Sequence, residues 1–458
     1  MTLQRELRLN TFQMAAPSHN WAGLWRHPRD NQSAYNRLQY WTDLAQTAER
    51  GFLDGIFIAD VFGIYDVYGG SPEAALRAGA QAPSADPVLA VSAMAHVTRH
   101  VGFGITANLT YEHPFQFARR FSTLDHLTQG RVGWNIVTGY LDSGARGMGL
   151  ATSRAHDERY EAAEDFMAAV YKLWEGSWED GAVVRDREAG IFSRPDRVHR
   201  IRHDGPYYTV DGRHLSEPSP QRTPVLYQAG TSARGSSFAG RHAECVFLNG
   251  PTKAAAAKAV RGVREAAQAA GRAPHDILTF LGATLIVAPT AAEARDLRDD
   301  YRGYLDAAGQ LALVSGWTGI DLATLGLDAP LPFVKTNAIQ STVKHLAGDA
   351  AQPTRVRDLL DFTPAGARAP VIVGSPVEVV DELLAWVAET DVDGFNLVRT
   401  VMPESLDAIV DLVVPELQNR RAFKTAYGEG TLREKLFPGR SPRLSRTHPG
   451  GRHRAIAT

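Results

Sequence analysis

Asp60, Thr106, Asn108, Asn135, Thr138, Gln228, Gly230, Asn249 and Arg399 each stand at or just beyond the end of a short apolar run, and only Asp60 and Arg399 among them can carry charge. Side chains at the C-terminal ends of parallel strands converge on one site. A glycosidase would need two carboxylates about 5–10 Å apart there, and Asp60 has no evident partner. The scarcity of acids and bases disfavours a hydrolase. Amides and hydroxyls instead suit a site that hydrogen-bonds a large planar cofactor.

The segment QAGTSARGSSF (Gln228–Phe238) follows an apolar run and opens a helix. Small residues and free backbone amides at a helix N-terminus form a ready site for a phosphate dianion. An ordinary strand-to-helix turn with a serine cap accounts for the same residues. GTSARG approaches the nucleophile elbow G-x-S-x-G but has one residue too many before the second glycine. His96 and His100, and again His199 and His203, have i, i+4 spacing without the glutamate of a zinc-protease motif. No metal site is expected from them. Cys245, the single cysteine, lies inside an apolar run and reads as inert core. No Walker loop and no G-x-G-x-x-G opens a helix.

The elements that would position these residues alternate. Apolar, β-branched runs at Arg8–Gln13, Gly55–Asp60, Val101–Leu109, Arg131–Thr138, Pro224–Ala229, Ala243–Leu248, Thr279–Ala288 and Gly394–Thr400 predict eight strands. Between them, helical spacing and caps predict helices, among them Tyr35–Arg50, Phe115–Leu127, Asp157–Trp174, Lys253–Ala270, Ala291–Leu305, Pro376–Thr390 and Glu404–Asn419. Asp86-Pro87 opens a further one to about Arg99. Eight β/α units favour an α/β fold closed as a (β/α)8 barrel, with an open sheet and an added domain as the alternative. Residues 1–438 form the barrel domain in this reading. Stretches at about 61–85, 175–223 and 309–370, after strands 2, 4 and 7, read as insertions serving as lids or subunit contacts. Residues 439–458, with five arginines and no acid, read as an extended arm. Aromatics such as Trp21, Trp25, Phe62, Tyr65, Tyr68, Tyr111 and Tyr140 cluster in loops on the expected active face.

A hydrophobic fraction of 44% and a formal charge of −2 over 458 residues give no nucleic-acid or membrane-surface footprint. No apolar run is long enough to span a bilayer, and no signal core opens the chain. A cytoplasmic protein is expected.

Several motifs carry a resemblance. WRHP (Trp25–Pro28), IADVFGIYDVY (Ile58–Tyr68), GRVGWNIVT (Gly130–Thr138), HDERY (His156–Tyr160), KLWEGSWED (Lys172–Asp180), EPSPQRTPVLYQAG (Glu217–Gly230) and DGFNLV (Asp393–Val398) resemble the bacterial-luciferase-like monooxygenases. Within that superfamily they are similar to the branch of nitrilotriacetate and dibenzothiophene-sulfone monooxygenases, nearest the dimethyl sulfide and long-chain alkane enzymes. Ala16 and Tyr140 stand where the alkane branch carries cysteine and histidine.

The resemblance implies FMN, bound in its reduced form. Asp60, Thr106, His156, Tyr160 and Ser232 match flavin-contacting positions, with Asn135, Gly230 and Thr231 nearby. It implies that reduced FMN reacts with O2 at C4a and that the flavin (hydro)peroxide oxygenates a small apolar or organosulfur substrate. His19, Tyr65 and Tyr140 are the candidates for orienting substrate or oxidant. Without an NAD(P)H motif, a separate NAD(P)H:flavin oxidoreductase is expected to supply FMNH2 by diffusion. A homodimer or homotetramer is expected. Two rivals stay open: a deazaflavin-dependent dehydrogenase on the same barrel, and a flavin-binding protein without turnover.

Overall fold

A computed structural model of the chain describes residues 6–230, 232–332, 334, 338–339 and 354–454. Its strands are β1 (Arg8–Met14), β2 (Gly55–Ala59), β3 (Gly102–Asn108), β4 (Val132–Val137), β5 (Val183–Asp186), β6 (Ile191–Ser193), β7 (Ile201–Asp204), β8 (Thr209–Gly212), β9 (Val225–Gln228), β10 (Cys245–Leu248), β11 (Leu278–Val287), β12 (Val371–Gly374) and β13 (Gly394–Val398). Eight of them pair in parallel in the order β10-β9-β4-β3-β2-β1-β13-β11, and pairing of β10 with β11 closes the ring. The chain is therefore an eight-stranded parallel barrel of the (β/α)8 kind, as expected, and the open-sheet alternative falls. Each barrel strand is almost wholly buried, since helices cover the outer face and side chains fill the inner one.

The helices follow the expected periods with altered ends. Asp86 caps its helix by accepting from the Val88 N–H, but the first turn is tight (Pro87–Ala90) and the α-helix ends at His96. Glu404–Asn419 is interrupted by a π-turn at Ile409–Val413, and His156–Tyr171 runs into another at Lys172–Gly176.

The additions to the barrel are more structured than loops. Residues 175–223 carry two antiparallel hairpins, β5-β6 and β7-β8. β12, absent from the sequence reading, pairs with the C-terminal half of β11 outside the ring. Helix Ala307–Thr318 is buried at every residue from Gly309 onward. Its Leu311, Val314 and Trp317 pack with Tyr65, Ala75 and Ala78 into an apolar core of their own. That core sets segments from the 61–85 and 309–370 stretches against each other above the strand ends. Within residues 439–454 the chain folds back on itself: Arg443 pairs with Asp180, and His448 Nε2 lies 2.9 Å from the His242 carbonyl oxygen.

Candidate active site

A cavity of about 220 Å³ opens at the C-terminal mouth of the barrel, lined by residues from β1, β2, β4, β9 and the segments above. Of the sequence-predicted site residues, His19, Asp60, Tyr140, His156, Tyr160, Gly230 and Ser232 line it. Thr231 lies outside the described residues. Thr106 and Asn135 are buried behind the wall. Parallel register sets them opposite each other on β3 and β4, so Asn135 Nδ2 donates to Thr106 Oγ1 at 2.8 Å.

One end of the cavity is made from two helix starts. Ser232 caps Ala233–His242, its Oγ accepting from the Gly235 N–H at 3.0 Å. The same Oγ lies 3.3 Å from Nε2 of His156, the first residue of His156–Tyr171. Two positive helix ends thus converge on one point. Tyr160 closes it: a Cβ built on Gly230 would stand 2.5 Å from Tyr160 Oη, and one on Gly235 would stand 2.8 Å from it. Glycine is needed at both places for this approach. Arg159, which sequence reasoning missed, lines the cavity one residue before Tyr160 and brings a fixed cation. Burial raises the Tyr160 phenol, opposed first by the Arg159 charge.

Along the floor, Asp60 follows β2. Burial, and secondarily the charge of Asp86, push its carboxyl up to about 6, against the stabilising N–H of Val61. The buried amide oxygens Asn135 Oδ1 and Gln228 Oε1 have no hydrogen-bond partner among the described residues. Buried polar atoms are normally satisfied; Gln228 lines the cavity, so its oxygen is an acceptor that suits a ligand's N–H group, whereas Asn135 lies behind the wall. Converging helix ends, a glycine cradle and the orphaned Gln228 acceptor together fit a phosphorylated heterocyclic cofactor of the flavin type.

The other end is built on a chain of hydroxyls. Tyr65 Oη donates to Gln81 Oε1 at 2.8 Å, and Gln81 Nε2 donates to the His19 carbonyl at 2.9 Å. Tyr65 has one proton, already committed to Gln81, so Tyr140 must donate across the 2.8 Å between the two phenol oxygens. Trp317 Nε1 also donates to Tyr65 Oη, at 3.1 Å. Tyr65 itself does not line the cavity. It is a positioning residue for Tyr140 and Gln81, which do. Burial raises both phenols, Tyr65 to about 12.

His19 stands edge-on to Phe12, ring centroids 4.3 Å apart, with a buried Nδ1 that has no hydrogen-bond partner among the described residues. Burial and then the charges of Arg399 and Arg368 hold its pKa well below the usual value, so the imidazole is neutral at pH 7. Phe12, Phe247 and Trp317 make the rest of this end apolar. Trp21 does not belong to the site; it is buried against Phe362. Gln81, Trp317 and Arg368 were missed because they reach the cavity from segments with no strand-end signal.

A family model described as luciferase-like monooxygenase matches residues 12–394. The dimethyl-sulfide monooxygenase of Hyphomicrobium sulfonivorans is 47% identical over 453 residues, covering 99% of this chain and 94% of the relative. The long-chain alkane monooxygenase of Geobacillus thermodenitrificans is 43% identical, and the match covers both chains completely. Among solved structures, a riboflavin lyase with modified FMN and riboflavin superposes with a TM-score of 0.92 at 36% identity, covering 99% of this chain and 100% of that one.

Proposed function

The chain belongs to the luciferase-like monooxygenase family and is a flavin-dependent monooxygenase, and from that premise we propose that it uses reduced FMN, delivered by a separate flavin reductase, to oxygenate a small apolar or organosulfur compound. The observation that carries the FMN reading is the meeting of two helix N-termini at His156 and Ser232, with Arg159 beside them. There a phosphate would accept from backbone amides, the Ser232 hydroxyl and the guanidinium. Tyr160 would pack on the ribityl chain, and Gln228 offers an acceptor toward the ring. Reduced FMN, when bound, supplies the electrons by which one atom of O2 enters the substrate and the other leaves as water.

The protein's own work at the far end is to orient and to exclude water. A neutral His19 gives the cavity a polar atom without a charge that would draw solvent in. Tyr140, its proton committed to Tyr65, turns acceptor lone pairs toward the cavity. The apolar core around Trp317 closes the space above. A dry site keeps activated oxygen from being lost as peroxide. The names of the relatives support a substrate of this size and polarity: dimethyl sulfide, long-chain alkanes and dibenzothiophene sulfone.

The test combines binding and turnover. Ser232→Ala and His156→Ala should each weaken FMN about 5- to 30-fold, the worth of about 1–2 kcal/mol for one charge-assisted hydrogen bond. With a generic reductase and a thioether panel, wild-type protein should consume O2 and yield oxygenated product. Unchanged FMN affinity in both variants would remove the site assignment.

A further inference from the structure

Two helices make the phosphate end of the cavity, and the same two helices are tied together again at a distance from it. Ser232 and His156 bring the starts of Ala233–His242 and His156–Tyr171 to one point. About 12 Å further along, at the rise of an α-helix, Glu164 of the longer helix accepts from the far end of the shorter one. Its donors there are Arg241 and His242 Nε2, the latter at 2.8 Å. Tyr171, the last residue of the longer helix, places Oη 3.1 Å from His242 Nδ1. The pair therefore lies side by side and parallel, with both N-termini at the cavity.

Such a pair does not hold itself together at that end. Like ends of parallel helix dipoles repel, and two positive ends stand together here. An anion between them removes the penalty; without one, the pair depends on a tie elsewhere. The tie that the chain supplies is specific. Burial pushes the Glu164 carboxyl up, but the hydrogen bond from His242 and the Arg241 charge outweigh it and hold the group below its ordinary value, ionised. Burial raises the Tyr171 phenol well above its ordinary value, so it keeps its proton. The His242 ring thus donates through Nε2 to a carboxylate and accepts through Nδ1 from a phenol, and both partners belong to the neighbouring helix. His448, whose Nδ1 accepts from the Gly450 N–H, donates Nε2–H to the His242 carbonyl. That serves a helix-end oxygen with no partner inside its own helix. A packed path leads back to the site. The His242 ring meets Phe238 at 4.6 Å between centroids, and Phe238 meets Tyr160 at 5.6 Å.

We propose that Glu164, His242 and Tyr171 are positioning residues for the cofactor, fixing the spacing of the two helix starts at which the phosphate of FMN is seated. The proposal rests on the FMN reading for what the site holds. Glu164 is the informative member. Its own charge, acting through space, opposes a phosphate. Neutralising it should therefore favour FMN slightly, unless the carboxylate works through helix placement.

The test compares oxidised FMN with riboflavin, which differ only by the phosphate, by quenching of flavin fluorescence on the full-length protein. Wild type should bind FMN about tenfold or more tightly than riboflavin, as a charge-assisted phosphate site implies. In Glu164→Gln that ratio should fall about fivefold, with riboflavin affinity within about twofold of wild type. Tyr171→Phe keeps the carboxylate–imidazole bond and should lower the ratio about threefold. It also carries the test should the glutamine variant fail to fold. A ratio unchanged in both variants, or raised in Glu164→Gln, overturns the proposal. So does a riboflavin affinity that falls as far as that for FMN, because the tie then supports the barrel wall and not the phosphate seat. Equal affinity of the wild type for the two flavins would remove the FMN reading and this proposal with it, an outcome visible before any variant is made.

Discussion

Asp60, placed by our proposal in the flavin site, lines the cavity at the fold's expense. Its native pKa, about 6, lies above the ordinary carboxyl value of 3.8 because burial penalises the charge. The native state therefore holds the proton more tightly than the unfolded chain. Stability carries no penalty from this group below about pH 4, falls as pH rises between about 4 and 6, and bears the full penalty above 6. Asp60→Asn is expected to stabilise the flavin-free protein by about 2 kcal/mol at pH 8 and negligibly at pH 4, measured by urea unfolding at both values. An equal gain at the two pH values would show that charge is not the cause. The same substitution should weaken FMN, since the residue lines the cavity floor. Asp60 was legible in the sequence because it ends an apolar run and strand ends gather at one face. Arg159 was not, although it lies inside HDERY, because charge on a helix start ordinarily faces solvent. Here the fold buries it beside Tyr160.

At the scale of elements, periodicity located all eight barrel strands, because a strand buried on both faces reads as a continuous apolar run. It failed where burial is equally complete for a different reason. Ala307–Thr318 has no polar face, since the barrel side and the covering segments enclose it on all sides, so neither a helical stripe nor a strand alternation appears. β12 failed through brevity, four residues that matter only because β11 outruns the ring. The buried helix yields a sharp expectation at Gly316, where a Cβ would overlap the Tyr65 ring. Gly316→Ala should cost about 1–3 kcal/mol by overpacking and, by displacing Tyr65, loosen the hydrogen bond that aims Tyr140. Gly262 on helix Lys253–Ala269 is the control, with nothing within 4 Å of its built Cβ. Gly262→Ala should stabilise by about 0.5–1 kcal/mol, as expected for alanine over glycine in a helix interior. Denaturant midpoints of the two variants moving in the same direction would remove the close-packing argument.

Over the whole molecule, the last described residues bind the hairpin-bearing insertion to the barrel. Asp180 accepts from both Arg222, which precedes β9, and Arg443. More consequential is Glu175, whose side chain is fully buried. Arg454 Nε donates to its Oε2 at 2.9 Å, and Thr223 Oγ1 donates to its Oε1 at 2.8 Å. Exposed ion pairs contribute little, but removing one partner of a buried pair strands the other charge. Arg454→Ala is therefore expected to cost about 3 kcal/mol, near the low end for such losses because Thr223 still serves Glu175. Glu175→Gln in the same background should recover much of that loss, since a neutral amide needs no counter-charge. A double-mutant cycle by urea unfolding reads the coupling directly. A coupling near zero would mean that the arm's contribution comes from packing, such as Gly450 against the Tyr171 ring, and not from the ion pair.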